Sequence, residues 1–321
     1  MRGGVRAAPL AAATLLGAMV LGATAVRADV TITEETDEGI ACFKIVTDRA
    51  TYYYDKAGAG FTSLIDTDGN DWIGFHPEGS AGVPNGQSGW YRGIPNMGLN
   101  DFGHPGYDGA TSTTSDPLGE ARPSVSIASS KGSWSVTWEF FSTYAVMTVH
   151  SVGANYWFLY EGTPGGAVGA DDDCLRASGE TNSLSGSWEG DVVNSSGAAD
   201  GHEWVAFVDG PTARSLFLVH DDDSITDRYY LMDPMTVFGF GRHAPNIDRL
   251  MSQTPATLHL GLVESRDAAD IEAAVEAAVQ GGSTPLPADR DDCDRAVRDH
   301  RAGSASDSAV RAVIRRYRRP S

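Results

Sequence analysis

Residues 41–75 read ACFKIVTDRATYYYDKAGAGFTSLIDTDGNDWIGF, and the rhythm of this stretch decides the fold class. Its runs around Phe43-Lys44-Ile45-Val46, Tyr52-Tyr53-Tyr54 and Phe61-Thr62-Ser63-Leu64-Ile65 are aromatic or β-branched and of strand length. Such side chains suit a pleated, half-buried surface. The breaks fall at Lys56-Ala57-Gly58 and at Asp68-Gly69-Asn70, where Gly, Asn and Asp supply the backbone angles of tight hairpin turns. Three or four short antiparallel strands are expected here.

The pattern continues outward. SVSIASSKGSWSVTWEFFSTYAVMTVHSV turns at Lys131-Gly132 and near Ser142, and YWFLYEG, EWVAFVDG, SLFLVHDD, MTVFGFGR and ATLHLGLVE follow. Between Ile40 and Val263 no helical period of useful length occurs. The expectation is an all-β fold, an antiparallel β-sandwich of about a dozen strands, and about 230 residues is an ordinary size for one such domain. Trp134, Trp138, Phe140, Trp157 and Phe158 lie in these strands and read as core. SRDAADIEAAVEAAVQGG then places Ile271, Val275 and Val279 on one helical face, with acids in the first turn and Gly281-Gly282 at the stop. One C-terminal helix should close the domain.

The ends have a different composition. Residues 1–28 carry Arg2 and Arg6 ahead of an Ala-rich apolar run and finish on Val26-Arg27-Ala28. That is the layout of a secretory signal peptide cleaved near Ala28, which predicts a secreted or periplasmic protein without stable membrane insertion. The domain organisation expected is signal peptide 1–28, sandwich with closing helix 29–282, and linker with basic tail 283–321. The tail holds nine of the arginines against six acids, so a chain of net charge −19 has a core more acidic still. A surface of that sign repels nucleic acid and anionic lipid and favours bound cations. Cys42, Cys174 and Cys293 allow one disulfide at most; Cys42–Cys174 is the expected pair because both lie in the core region.

Several function classes are excluded by what is missing. There is no G-x-S-x-G elbow, P-loop, dinucleotide fingerprint or HExxH spacing. No metal ligand set is assigned and no cofactor is required, although calcium is possible at Asp171-Asp172-Asp173 or Asp221-Asp222-Asp223. Asp66-Thr67-Asp68-Gly69-Asn70-Asp71 has alternate oxygens but sits between two strands, and it reads as hairpin chemistry.

TYYYDKAGAGFTSLIDTDGNDWIGF, YRGIPN, GHPGY, WEFFSTYAVMTVHSVGANYWFLYEGTPGG and MTVFGFGR together resemble a family of secreted bacterial proteins found beside carbohydrate-degrading systems. The segment Gly58-Ala59 to Asp68-Gly69 also resembles the opening strands of the galactose-mutarotase-like β-supersandwich. What the resemblance implies is a polysaccharide or oligosaccharide ligand, not a particular reaction.

The richest candidate site is GWYRGIPNMGLNDFGHPGYDGA, residues 89–110. Cleaving a uronic-acid glycan by β-elimination requires a group that neutralises the carboxylate, a base for the adjacent proton and an acid for the departing oxygen. Arg92 and Asn96 suit the first task, His104 and Tyr107 the other two. Trp90, Tyr91, Trp188 and Glu189 would bind substrate, the rings by stacking on sugar faces. Two other chemistries stay open. Glycoside hydrolysis would draw two carboxylates from Glu161, Glu189, Glu203 and Asp101, and epimerisation at a ring oxygen would pair His104 or His220 with Glu203. A non-catalytic glycan-binding module, or a loop packed for structure alone, is the plainer alternative.

Overall fold

The computed structural model describes residues 30–56, 60–74, 134–192, 201–221, 225–232, 235–243 and 248–281, together with the backbone of residues 110–115, 124–129 and 282–283. Residues 1–28, expected to be a signal peptide, the 89–110 stretch up to Ala110, Cys293 and the basic tail lie outside the described residues.

Sheet pairing among them is antiparallel throughout. Strands β1 (Thr31–Asp37), β2 (Ile40–Val46), β3 (Ala50–Asp55) and β4 (Phe61–Asp66) form a meander in chain order. Its last three strands are those of residues 41–75 and β1 precedes them; Gly39 takes φ +78° between β1 and β2, and Gly69 φ +92° after β4. A nine-stranded sheet takes β5 (Ala110–Ser115), β6 (Ser124–Ser129), β7 (Trp134–Phe140), β8 (Tyr144–Val152), β10 (Asp173–Arg176), β11 (Thr181–Ser183), β13 (His202–Asp209), β14 (Arg214–Asp221) and β19 (Ala256–Val263). Its order is β11-β10-β13-β14-β19-β8-β7-β6-β5. A second four-stranded sheet, ordered β12-β15-β16-β9, is built from β9 (Phe158–Gly162), β12 (Ser187–Gly190), β15 (Asp227–Met232) and β16 (Met235–Phe240). The short pair β17 (Arg242–His243) and β18 (Asp248–Arg249) follows it.

One core joins all three large sheets. Tyr52 meets Phe140 and Phe61 meets Trp138, which seats the first small sheet on the β7 side of the large one. Phe207 meets Tyr160, Tyr229 and Phe238, which seats the second small sheet on β13. The sandwich is therefore one broad layer faced by a layer split in two. Trp134, Trp138, Phe140 and Phe158 are in this core as expected. Trp157 is buried too, but with Leu159, Met235 and Val237 on the far face of the second small sheet, where the guanidiniums of Arg242 and Arg249 lie 5.4 and 4.5 Å from its ring centre.

Helix α1 (Ala268–Ser283) closes the domain. Ile271, Val275, Ala278 and Val279 pack against Trp204, Ala206, Val208, Phe217 and Val219 on the outer face of the large sheet. Meanwhile Val205, Phe207, Leu216 and Leu218 face the sandwich core. Covering both faces explains why β13 and β14 are apolar almost throughout, where a one-sided strand would alternate with polar residues.

The Asp66–Asp71 turn is a structural knot. Asp66 Oδ1 accepts the backbone N–H groups of Asp68 and Asn70, both at 2.9 Å, and its Oδ2 accepts Trp72 Nε1 at 3.1 Å. Arg214, on the distant β14, donates to Asp66 at 2.5 Å, Asp68 at 3.0 Å and Glu264 at 2.6 Å. These oxygens are spent on protein donors, as hairpin chemistry predicts.

The expected disulfide does not form. Both Cys42 and Cys174 are free and buried. Strand parity gives the reason: Phe43 and Ile45 turn into the common core, so Cys42 turns to the other face of β2, where its Sγ lies 3.5 Å from Thr62 Oγ1. Cys174 is inside the core, on β10 of the large sheet.

Candidate functional site

At one end of the large sheet the apolar inner face gives way to titratable groups. On β13 the inward positions are Glu203, Val205 and Phe207; on β14 they are Leu216, Leu218 and His220, as the alternation of core contacts requires. Glu203 and His220 are direct register partners, so both side chains leave the same face side by side. Glu203 is fully buried and His220 nearly so.

The second small sheet completes the surroundings. Phe158 and Phe240, themselves register partners, bracket the His220 ring, each with its centroid 5.6 Å away. Asp227, the first residue of β15, is fully buried, and its Oδ1 accepts the Gly241 N–H at 2.8 Å. Gly241 has φ +66°, and a Cβ there would run into the Met251 side chain, so glycine is required to bring that N–H to the carboxylate. Asp191 follows directly on β12, whose last residue, Gly190, pairs with Asp227. One carboxylate oxygen from each of Asp191, Glu203 and Asp227 lies within 4.8 Å of the others. Carboxylates gathered so closely, two of them out of water, favour a shared proton or a cation among them. Oxygen ligands of this kind suit a hard divalent cation such as calcium, with further oxygens completing its shell.

His220 also borders a cavity of about 50 Å³, walled in part by Tyr156, Asp221, Ser252, Gln253 and Ala256. That is room for water but not for a sugar ring. Residues 193–200 and 222–224, which follow Asp191 and Asp221 in the chain, lie outside the described residues.

Of the residues singled out from the sequence, Trp90, Tyr91, Arg92, Asn96, His104 and Tyr107 lie outside the described residues, as does Asp101. Trp188 and Glu189 are on β12. The Trp188 ring is half-buried against the core, stacked near Tyr229 at 6.3 Å and covered by the Arg176 guanidinium at 4.7 Å. Glu189 leaves the opposite face, 3.7 Å from Arg228 and 3.5 Å from His243. Glu161 likewise alternates with the core residue Tyr160 and leaves the outer face of β9. In the 171–173 triplet, the buried Asp172 carboxylate accepts the N–H groups of Gly169 at 2.6 Å and Gly210 at 3.0 Å. Burial, ahead of the nearby Asp209, pushes its pKa up. It braces a loop. Of the second triplet only Asp221 is described.

Sequence reasoning paired Glu203 with His220 but passed over Asp191 and Asp227. From the sequence Glu203 and His220 were simply one acid and one base available for epimerisation; the pairing of β13 with β14 is what brings them together. Asp227 and Asp191 stand at strand ends, where too few neighbours remain to fix which way a side chain points.

No known family profile matches the chain, and no curated protein matches it. Among solved structures it is similar to HI1317 (TM-score 0.47, 10% identity, 73% of this chain and 99% of that one). It is also similar to an α-galactosidase from Lactobacillus brevis (0.43, 11%, 76% of this chain and 42% of that one). A third is YeaD from Salmonella typhimurium, a proposed mutarotase (0.38, 8%, 72% and 93%). Nothing about ligand or reaction is carried from these proteins to this chain. Among the described residues no helix is long and apolar enough to cross a membrane.

Proposed function

We propose that the protein is a secreted carbohydrate-active protein whose chemistry is proton transfer to and from a sugar, with Glu203 and His220 as the acid–base pair; the sugar would have to reach this buried pair by a route other than the small cavity beside His220. The observation that carries this reading is their direct opposition on β13 and β14 at the polar end of an otherwise apolar face. The sugar is the ligand class implied by the supersandwich resemblance of the opening strands, and the split-layer sandwich is compatible with it. In ring epimerisation the base takes the proton of the anomeric hydroxyl while the acid protonates the ring oxygen. The ring C–O bond then breaks to the open aldehyde, and reclosure on the other face reverses both transfers. An imidazole beside a carboxyl group supplies one acid and one base working near neutral pH.

A second reading has its own observation. The carboxylates of Glu203, Asp227 and Asp191 lie within 4.8 Å, close to the roughly 5 Å separation of retaining glycosidases. Hydrolysis by two of these carboxylates is therefore the runner-up. β-Elimination through Arg92, Asn96, His104 and Tyr107 is the third chemistry to test, with calcium as a possible added ion in any of the three.

The deciding experiment uses the mature protein with a panel of monosaccharides and of neutral and acidic polysaccharides. Anomer interconversion by polarimetry, with no new reducing ends, supports the epimerase. New reducing ends alone support hydrolysis. Reducing ends together with the ultraviolet absorbance of unsaturated products support elimination and move the site to residues 89–110. Tight binding with none of the three signals would leave a glycan-binding module and end the acid–base reading.

A further inference from the structure

Two arginines among the described residues are buried, and they are treated differently. Arg214 reaches Asp66, Asp68 and Glu264. Arg242, only 6% exposed, has no carboxylate at ion-pair distance among the described residues. Its Nη2 donates to Tyr230 Oη at 2.9 Å, but its Nε and Nη1 are buried without an acceptor. A charge taken out of water needs a counterion and filled hydrogen bonds, and a guanidinium lacking both is costly.

The fold nevertheless holds Arg242 firmly in place. The left-handed turn at Gly241 starts β17, and Arg242 comes back over the outer face of the second small sheet. Gly239 faces outward between the core residues Phe238 and Phe240. A Cβ there would lie 2.9 Å from Arg242 Cβ and 3.0 Å from its Cδ, so the missing side chain is what makes room for the arginine stem. Trp157 and Tyr230 flank the guanidinium with ring centres 5.4 and 5.0 Å away. Rings attract a cation, but they carry no counter-charge. Arg249 is the direct register partner of Arg242 and lies 4.5 Å over the same Trp157 ring. Like charges set opposite one another repel, and an anion between them turns that repulsion into attraction.

We propose that Arg242, with Arg249 beside it, binds the carboxylate of an acidic sugar. The carboxylate follows from the site itself; the sugar rests on the carbohydrate reading above. The unfilled N–H donors of a planar guanidinium match a planar carboxylate. The outer cations already have acids: Glu189 lies 3.7 Å from Arg228 and 3.5 Å from His243, and Asp248 lies 3.6 Å from His243. These rim acids repel a doubly charged phosphate more strongly than a singly charged carboxylate. Their side chains are part-exposed, so the rim is open to solvent. The site is on the opposite face of the sheet from Asp227, and one turn serves both: the Gly241 N–H is bonded to the Asp227 carboxylate, and the next residue is Arg242.

The test titrates the mature protein calorimetrically with sodium glucuronate, glucose, acetate and inorganic sulfate. Glucuronate should bind one to one, more tightly than acetate or sulfate, and glucose should give no heat at the same concentration. Arg242→Met should weaken glucuronate about tenfold or more, the value of a hydrogen bond between charged groups. In anion-poor buffer it should melt no lower than wild type, because it removes an uncompensated buried charge. Arg242→Lys, which keeps a charge but loses the planar set of donors, should also bind glucuronate more weakly. Wild type that binds no glucuronate, or variants that bind it as wild type does, overturn the site. A larger response to sulfate overturns the carboxylate, and acetate binding as tightly as glucuronate overturns the sugar. Variants that melt far below wild type without glucuronate would make Arg242 a structural residue and also overturn the proposal. If the protein turns over no sugar at all, the acid–base reading falls while these titrations still decide the Arg242 site.

Discussion

Two acid-rich regions of this molecule handle their carboxylates in opposite ways. At the Asp66–Asp71 turn each oxygen is aimed at a donor: backbone N–H groups, the Trp72 indole and the guanidinium of Arg214, which reaches across from β14. At the other end of the sandwich, Asp191, Glu203 and Asp227 bring one oxygen each within 4.8 Å of the others, with His220 beside Glu203, while Asp227 Oδ1 also accepts the Gly241 N–H. Saturated acids hold a fold together. Acids set against acids leave a protonation state that can be moved, which is how sites of proton chemistry are tuned.

Removing the donor from the first region should have the largest effect. Arg214 is buried, and burial alone would disfavour its charge, but hydrogen bonds to Glu264 and Asp66 hold its pKa above the ordinary value. Arg214→Ala strands a buried Asp66 and should cost about 3–5 kcal/mol of stability, read as a fall in the denaturant midpoint. A loss below about 1 kcal/mol, the value of an exposed pair, would mean that the turn is held by its own backbone and that the contrast is overdrawn.

Removing a member of the second region should instead cost activity and spare the fold. Glu203→Gln and His220→Asn should each lower turnover of the proposed sugar substrate by about a hundredfold or more, as loss of a general acid or base does. Glu203→Gln also takes a charge out of the carboxylate cluster, so its melting temperature should stay level or rise. A stability loss like that of Arg214→Ala, with activity per folded molecule unchanged, would make Glu203 a structural acid as well.

How much of this was legible depends on strand parity. EWVAFVDG and SLFLVHDD are legible as strands, but they are apolar on both faces, so their pattern does not say which way Glu203 and His220 point; the hairpins of residues 41–75 give β2, β3 and β4 but not β1. Parity also bears on the expected disulfide: Cys42 was paired with Cys174 because both lie in the core region, although Phe43 and Ile45 already claim the inner face of β2. The splitting of the facing layer into two sheets was not legible, because strand order depends on which long-range pairs win and no local pattern records that. Asp191 and Asp227 converge only through the pairing of β12 with β15, which nothing in their flanking residues announces.

Within the first region a finer contrast can be read by pH. Burial works to raise Asp66, but hydrogen bonds from Trp72, Asn70 and Arg214 bring it down to about 2. Five residues on, burial pushes Asp71 up to about 6, against the N–H groups of Leu64 and Ile73. The signs are opposite. Asp66, with its folded pKa below its unfolded one, contributes stability that is present above about pH 4 and lost as pH falls toward 2. Asp71, with its folded pKa above, binds its proton more tightly when folded, so stability declines as pH rises from about 4 through 6 and stays lower above that. Asp71→Asn should remove that decline, worth about 2–3 kcal/mol between the two ends, while leaving the acid limb below pH 4 in place. Denaturation midpoints at pH 4 and pH 7 check it, and an undiminished decline in the variant would assign the slope to another group.

The smallest expected effect is none, and it tests whether the first sheet and the large sheet are tied covalently. Cys42 belongs to the sheet of the saturated turn; Cys174 lies under Trp188 in the strand beside β13. A bond between them would staple the first small sheet to the large sheet, and losing such a bond costs about 2–5 kcal/mol in a small secreted domain. Each sulfur is instead enclosed separately: burial pushes the Cys42 thiol up to about 11 and the Cys174 thiol up to about 12. At neutral pH so little thiolate exists that neither an oxidant nor an alkylating reagent has a nucleophile to meet. Reductant should therefore leave the melting temperature unchanged, and iodoacetamide should label neither thiol until the chain is unfolded, when mass mapping should find both. A melting temperature that drops on reduction, with Cys42 and Cys174 recovered in one cross-linked peptide from unreduced protein, would show that the first sheet and the large sheet are stapled after all. The first sheet would then have to present Cys42 to the core in place of Phe43 or Ile45, a one-residue slip that reverses every side chain on β2.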